Sequence, residues 1–126
     1  MINRVKTKNA PKAIGAYSQG SIFENLVFTS GQIAINPISS NLVTDDFSKE
    51  VEQVLENIKS VLEAGGSNLD NIIKLTVFIT DMSNFKFVNE VFETFFIDEY
   101  PARSVVEVSG LPLNVNIEIE AIGIKI

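Results

Sequence analysis

One arginine and one glutamate are the residues of this chain whose surroundings suggest chemistry. Arg103 lies in the stretch Pro101-Ala102-Arg103-Ser104 and is one of only two arginines, and Glu118 stands between two isoleucines. Both sit among residues typical of β-strands instead of on a charged surface face. A guanidinium is always charged and offers a planar fork of donors, so a half-buried one needs a carboxylate partner. That partner is either a side chain of this protein or the acid group of a substrate.

The composition excludes several kinds of site. The chain has neither cysteine nor histidine. A disulfide, a thiolate zinc site, a Cys–His pair and a Ser–His–Asp triad are therefore impossible. Carboxylates alone can hold a metal, but no DxDxDG-type loop is present, and we predict no metal site. Catalysis then has to use carboxylates, Lys, Arg, Tyr, hydroxyls, backbone groups and water.

Length and charge limit the classes of protein to which this chain can belong. The 126 residues predict a single domain over residues 1–126, large enough to bury roughly two-thirds of its unfolded surface. No run reaches the eighteen or so apolar residues of a membrane span, and the N-terminus lacks the apolar core of a signal peptide. The net charge of −6 disfavours binding to phosphates. We therefore expect a cytoplasmic protein with no nucleic-acid partner and no membrane partner.

Hydrophobic spacing predicts two helices. Between Phe47 and Leu62 apolar residues recur three or four positions apart, after a possible cap at Asp45 or Asp46, and a Gly-Gly pair at 65–66 ends the pattern. A second helix is predicted over about residues 84–99, before Pro101. Its apolar stripe, which we interpret as core and not as an aromatic platform, consists of Phe85, Val88, Phe92, Phe95 and Phe96.

Alternating apolar residues predict the strands, at about residues 2–7, 21–23, 26–30, 71–80, 103–108 and 116–124. This order predicts an α+β fold in which both helices cover the same face of the sheet, because crossovers are right-handed. The other face is not polar, since Ile122 and Ile124 share it with Glu118. An apolar sheet face without cover is usually buried by other subunits, so we predict a homo-oligomer.

A long ordered set of motifs resembles the RidA (YjgF-like) family. The match extends from about residue 5 to the end of the chain, which is far more specific than Pro-Ala-Arg-Ser alone. The matching segments are residues 10–11, 13–15, 17–20, 29–33, 77–81, 88–90, 101–104 and 117–119, together with Val106, Ser109 and Leu111.

The resemblance implies a chorismate-mutase-like α+β fold, with a mixed sheet, two helices on one face and a homotrimer that packs its sheets inside. The family fold also places another strand between the strands of Arg103 and Glu118, although only a short link separates them in the sequence. The two residues are thus expected to meet across a subunit boundary, in sites at the subunit interfaces.

The resemblance also implies an activity. Family members hydrolyse the enamine and imine products of pyridoxal-phosphate-dependent dehydratases, 2-iminobutanoate and 2-iminopropanoate, to 2-keto acids and ammonia, without a cofactor. By position, Arg103 binds the substrate carboxylate and Glu118 orients and deprotonates the attacking water. A guanidinium nearby is expected to lower the pKa of Glu118 and keep it ionised. The implied pocket residues are Tyr17, Ser30, Gly31 and Asn89, with the backbone amide of Val105.

Three positions depart from the family pattern. Val105 stands where cysteine is frequent, so a thiol nucleophile is excluded here. Ala16 replaces a common proline and Gly110 a common arginine, and both changes are expected to affect loop rigidity and substrate range only.

Simpler interpretations stay open for each residue. Arg103 could form a structural ion pair with Glu118, with Glu120 or with a carboxylate of a neighbouring subunit, and Glu118 could be an exposed strand residue. Tyr17 could merely pack its ring, residues 30–31 could be only a turn, and Asn89 a buried structural amide. The alternative function is a non-catalytic module that senses 2-keto acids or acts like a chaperone. A ribonuclease is the third hypothesis, disfavoured by the acidic charge and the missing histidine.

Overall fold

The computed structural model describes residues 1–126 and contains one six-stranded sheet and two α-helices. Neither helix combines the length and the hydrophobicity that crossing a bilayer requires. The elements are β1 (Ile2–Val5), β2 (Gly20–Phe23), β3 (Leu26–Thr29), α1 (Phe47–Ala64), β4 (Ile72–Ile79), α2 (Phe85–Phe95), β5 (Ala102–Glu107) and β6 (Ile117–Ile124).

The strand order places β4 between the two strands of interest. The sheet runs β1-β2-β3-β6-β4-β5, and β4 pairs with β5 in parallel and with β6 in antiparallel orientation. The parallel pair needs a crossover, which α2 supplies. The short link between β5 and β6 therefore does not close a hairpin, and the strand order implied by the family resemblance is confirmed.

Helix α1 begins and ends where the sequence predicts. Asp46 is its N-cap, with a side-chain oxygen that accepts a hydrogen bond from the Lys49 N–H at 3.1 Å, and Gly65 follows the last turn. The predicted apolar stripe is buried, including Val54, Leu55 and Ile58. Burial of this stripe against the sheet stabilises the helix far more than its intrinsic propensity does.

Helix α2 is shorter than predicted. It ends at Phe95, and residues 96–99, which the spacing assigned to the helix, lie outside it. Phe96 has an extended backbone, with φ −118 and ψ 101, while its N–H still donates to the Phe92 carbonyl. Leaving the helix here lets Phe96 bury its ring in the core and turns the chain toward β5 through Pro101.

The two faces of the sheet differ as predicted. Both helices pack on one face, where a single core contains residues of α1, α2, β4 and β6. On the other face Phe28 and Val106 are more than one-third exposed, and Phe78 and Ile122 are only partly buried. The second face is therefore apolar and uncovered within the chain, while the homo-oligomer expected to bury it stays a prediction.

A buried carboxylate anchors the start of β6. Glu50 of α1 is fully buried, and its two oxygens accept hydrogen bonds from the backbone N–H and the side-chain amide of Asn116, both at 2.8 Å. The carbonyl of Asn116 accepts a third bond from the Thr80 N–H at 3.2 Å. These contacts hold β6 in place two residues before Glu118.

Replacement of Glu50 tests this anchor. We expect Glu50→Ala to lower the free energy of unfolding by about 2–4 kcal/mol, because two partly buried donors lose their acceptor and a buried side chain is truncated. The measurement is urea unfolding followed by circular dichroism. Glu56→Ala, at an exposed position of the same helix, is the control and should change stability by less than about 0.5 kcal/mol. Equal effects of the two substitutions would contradict the anchoring role.

Candidate active site

The structure separates the two predicted catalytic residues. Arg103 of β5 pairs with Leu75 of β4, and Glu118 of β6 pairs with Phe78 of β4. Directly paired residues point to the same face, and residues three apart on one strand point to opposite faces. Arg103 therefore lies on the helix-covered face and Glu118 on the uncovered one. One chain alone does not bring the two side chains together.

The Arg103 side chain lies against α2. Its Nη2 donates a hydrogen bond to Asn89 Oδ1 at 2.9 Å. The guanidinium carbon lies 5.3 Å from the centroid of the Phe85 ring and 4.9 Å from that of Phe92, within the range of a cation–π interaction. Burial lowers the pKa of Arg103, but an arginine stays protonated in proteins. A positive charge is thus held in place by neutral groups.

These contacts show whether Arg103 forms an ion pair within its own chain. The hydrogen bond that the guanidinium makes goes to a neutral amide and not to a carboxylate. Glu118 and Glu120 are two positions apart on β6 and share the opposite face of the sheet. The internal ion pair that the sequence left open is therefore not formed, and the charge of Arg103 is free for an external anion.

Arg103 opens into a cleft of about 430 Å³. Asn89 is part of this cleft, so it lies beside Arg103 and not in the pocket of Glu118. Asn89 is also only partly buried, unlike a structural amide of the core. The lining residues are Asn89, Phe92, Glu93, Tyr100, Pro101 and Arg103.

Val105 contributes to this cluster through its backbone. Its side chain shares the face of Arg103 and packs against the core. The N–H of Val108 donates to the Ile79 carbonyl, and the alternation along a strand directs the N–H of Val105 the other way, to the open edge of β5. This amide is therefore placed to donate outside the chain.

Glu118 lies in a second pocket, of about 370 Å³, on the other side of the sheet. The pocket brings together four predicted site residues, Tyr17, Ser30, Gly31 and Glu118. Its other lining residues, which the motifs did not single out as site residues, are Pro11, Lys12, Ile14, Gln32, Ile33, Ile35 and Pro112.

A buried amide holds the loops of this pocket. Gln19 is 5% exposed, and its Nε2 donates to the carbonyls of Ala10 and Pro11 while its Oε1 accepts from the Thr7 N–H. The Ser30 N–H donates to the Gln19 carbonyl. One glutamine thus joins the N-terminal loop to the end of β3. Gln19 is a residue of the family motif whose role only the structure shows.

The hydroxyl groups of Ser30 and Tyr17 form further hydrogen bonds around the Glu118 pocket. Ser30 Oγ donates to the Ser18 carbonyl at 2.6 Å, and the Tyr17 hydroxyl accepts from the Ile14 N–H at 3.2 Å. Tyr17 remains 46% exposed. Its ring is therefore a fixed but accessible surface of the pocket and not a buried packing element.

Gly31 has a steric role beside the carboxylate. A Cβ built on Gly31 would lie 2.5 Å from Glu118 Oε2, closer than real contacts allow. The backbone of β6 is also bridged here, because Gln32 pairs with Ile119. The absent side chain at Gly31 lets the Glu118 carboxylate lie against the backbone, which is a more specific role than a turn.

Burial and a neighbouring charge both act on the pKa of Glu118 within the chain. Burial raises the pKa of Glu118 above its ordinary value, and the negative charge of Glu120 raises it further. The expected lowering by a guanidinium concerned a contact across a subunit boundary and stays a prediction, because Arg103 of the same chain lies on the other face. No group of three or more Asp or Glu side chains is arranged to hold a metal ion.

Phe85 corrects the interpretation of the aromatic stripe on α2. The spacing assigned Phe85 to the core, but its ring is 36% exposed and lies beside the guanidinium. Phe92 is buried and touches both the core and Arg103. In the sequence, Phe85 and Phe92 are spaced around Asn89 so that all three share one helix face. The meaning of this spacing became clear only when the structure placed Arg103 against that face.

Comparison with known proteins identifies relatives of this chain. The family model described as Endoribonuclease L-PSP matches residues 7–125. A RutC family protein of Pyrococcus horikoshii is 50% identical over 119 residues, which cover 94% of each chain. The 2-iminobutanoate/2-iminopropanoate deaminase of Salmonella typhimurium is 44% identical over 128 aligned positions, 99% of each chain.

A solved structure agrees at the level of the fold. The crystal structure of Escherichia coli TdcF with bound serine is similar with a TM-score of 0.94 and 42% identity, over 98% of this chain and 99% of that one. The α+β fold expected from the motifs is confirmed.

The coupling between the two glutamates can be tested directly. We expect Glu120→Gln to lower the pKa of Glu118, because the substitution removes a negative charge that disfavours ionisation. Glu118 would then lose its proton at lower pH than in the wild type. The measurement is a ¹³C NMR titration of the Glu118 carboxyl group. Glu63→Gln, on the far end of α1, is the control, and an equal midpoint in the wild type and in Glu120→Gln would refute the coupling.

Proposed function

The chain belongs to the Endoribonuclease L-PSP family, the RidA (YjgF-like) family of the sequence motifs, and from this we propose that it is a 2-imino acid deaminase. It hydrolyses 2-iminobutanoate and 2-iminopropanoate to the 2-keto acids and ammonia, as the names of its relatives describe for them. Within the chain, the observation that carries the proposal is the Arg103 guanidinium, a half-buried charge bonded only to neutral groups. A 2-imino acid supplies the missing carboxylate.

Hydrolysis of an imine requires few catalytic groups. A protonated imine is already electrophilic, so the enzyme must mainly orient the substrate and remove a proton from water. Water adds to the imine carbon, the adduct breaks its C–N bond, and ammonia leaves as the keto group forms. Arg103 holds the carboxylate by a bidentate contact. Glu118 accepts the proton of the attacking water and then returns it to the amine nitrogen of the adduct, so that ammonia can leave. The hydroxyl proton of the adduct is released as the keto group forms, and the ammonia carries it away as ammonium. No cofactor takes part in this scheme.

The complete site is composite in the proposal. Arg103 and Glu118 lie on opposite faces of one sheet, so the Arg103 cleft of one protomer has to meet the Glu118 pocket of another. A homotrimer that buries the uncovered apolar face would create such a contact. Asn89, Arg103 and the amide of Val105 then come from one subunit. The other subunit supplies Tyr17, Ser30, Gly31 and Glu118.

Assembly also changes the electrostatics of the base. Within one chain, burial and Glu120 keep the pKa of Glu118 raised. A guanidinium from the partner subunit favours the ionised form and opposes both effects. In the assembled site Glu118 is therefore the group that accepts a proton near neutral pH.

Turnover separates the deaminase from the alternatives. A sensor or chaperone-like module would bind 2-ketobutyrate in a saturable manner without releasing ammonia from the imine. A ribonuclease, the activity that the family description names, would cut RNA and would lose this activity on substitution of Arg103 or Glu118. The test is an assay coupled to a threonine dehydratase, in which keto-acid formation should outpace spontaneous decay of the imine.

The two arginines provide a matched pair for the first activity prediction. We expect Arg103→Ala to lower kcat/KM for 2-iminobutanoate roughly 30- to 1,000-fold, because truncating a buried charged contact costs about 2–4 kcal/mol. Arg4→Ala removes an exposed guanidinium that donates to Ser21 Oγ and should leave kcat/KM unchanged. An unaltered kcat/KM in Arg103→Ala would remove this residue from the mechanism.

Subunit mixing tests the composite site. Protomers carrying Arg103→Ala and protomers carrying Glu118→Gln should each be nearly inactive alone. In trimers assembled from equal amounts of both, about one site in four combines an intact Arg103 with an intact Glu118 from a neighbour. Trimers purified through both tags contain both kinds of protomer, so one of their three sites is intact, and we expect them to recover about one-third of the wild-type activity. Mixed trimers as inactive as their parents would show that the two residues do not act across a subunit boundary.

A further inference from the structure

Three contacts of the Arg103 guanidinium come from one stripe of α2. Phe85, Asn89 and Phe92 follow one another at spacings of four and three residues, which places them on one helix face. Asn89 accepts a hydrogen bond from Nη2, and the two rings lie near the guanidinium carbon. Successive turns of the helix therefore each supply one group to the same cation.

Both rings lie within contact range of the guanidinium. Seven residues of an α-helix rise about 10.5 Å, so Phe85 and Phe92 stand two turns apart. The guanidinium carbon is 5.3 Å from the centroid of the Phe85 ring and 4.9 Å from that of the Phe92 ring. The rings limit how the guanidinium can turn, while Asn89 fixes one of its nitrogens. Its remaining N–H donors are left for a ligand in the cleft.

The two rings do not have the same role in the fold. Phe92 is 3% exposed and belongs to the main core, so its position is required for packing. Phe85 is 36% exposed and is not part of that core. A large apolar ring at the protein surface, held against a charged group beside a cleft, contributes to the cation more than to the interior.

We propose that Phe85 is a positioning residue for Arg103, which holds the guanidinium plane so that both of its donor positions meet the two oxygens of a substrate carboxylate. This inference rests on the proposed function, since it concerns the recognition of a 2-imino acid. A bidentate contact depends on the orientation of the planar fork, which a lysine could not reproduce. Phe85 acts through Arg103 and takes no part in the bond changes.

Phe87 makes a matched control available on the same helix. Its ring lies edge-to-face with Phe47 at 6.5 Å and under the Lys86 ammonium at 5.0 Å, away from Arg103. We expect Phe85→Leu to raise KM for 2-iminobutanoate and Kd for 2-ketobutyrate roughly 3- to 30-fold, the range of one cation–π contact, with kcat little changed. Phe85→Tyr retains the ring face and should restore both constants, and Phe87→Leu should leave them unaltered.

A double-mutant cycle distinguishes positioning from a structural effect. If Phe85 acts through the guanidinium, then Phe85→Leu has no further effect on kcat/KM once Arg103 is replaced by alanine. A ring that only stabilises α2 would lower kcat/KM equally in both backgrounds. Equal losses in the two backgrounds, or equal losses in Phe85→Leu and Phe87→Leu, overturn the proposal.

Calorimetric binding of 2-ketobutyrate separates this inference from the function on which it rests, because it needs no turnover. Binding that weakens in Phe85→Leu, in a protein that does not hydrolyse imines, supports the positioning role and overturns the deaminase. Hydrolysis and binding that are both unaffected by Phe85→Leu support the deaminase and overturn the positioning role. A wild-type protein that neither hydrolyses imines nor binds 2-ketobutyrate overturns both.

Discussion

The position of β4 between β5 and β6 is the constraint from which the arrangement of the site follows. β4 pairs with both strands over most of its length, and its registers assign Arg103 and Glu118 to opposite faces of the sheet. Neither local movement nor a change of rotamer can bring side chains through a hydrogen-bonded strand. The chemistry assigned to this pair therefore requires a second copy of the chain. In the proposed mechanism, catalysis therefore depends on the assembly of several copies of the chain.

The separated charges are costly for the single chain. Arg103 is half-buried without a carboxylate partner, and Glu118 is half-buried beside Glu120, so desolvation disfavours the charged form of each. A protein that needed only stability would pair these groups or replace them. Their presence as opposite, unneutralised charges fits a site that a substrate carboxylate and a neighbouring subunit complete. Asn89, the hydrogen-bond partner of Arg103, is neutral, and so is the Gly31 backbone beside Glu118.

Each half of the site is supported by neighbouring groups that take no part in the bond changes. Helix α2 presents an amide and two aromatic rings to Arg103, and Gln19 joins the loops around the Glu118 pocket through buried hydrogen bonds. Glu50 fixes the start of β6 from α1, two residues before Glu118. Such support matters because small displacements of orienting groups reduce catalysis strongly.

The sequence by itself determined the secondary elements, the alternation of faces along β6 and the family. These properties depend on local periodicity and on motifs whose spacing is set along the chain, as in α1 and in the alternation of β6. The sequence predicted a helix α2 that is too long, because Phe96 is buried from an extended backbone. That burial depends on tertiary packing and not on local periodicity. Only the tertiary structure decided that Asn89 and Phe85 belong to Arg103, that Gln19 organises the other pocket, and that the pKa of Glu118 is raised within the chain. Contacts between distant elements depend on strand order and register, and one sequence carries no local signal for either.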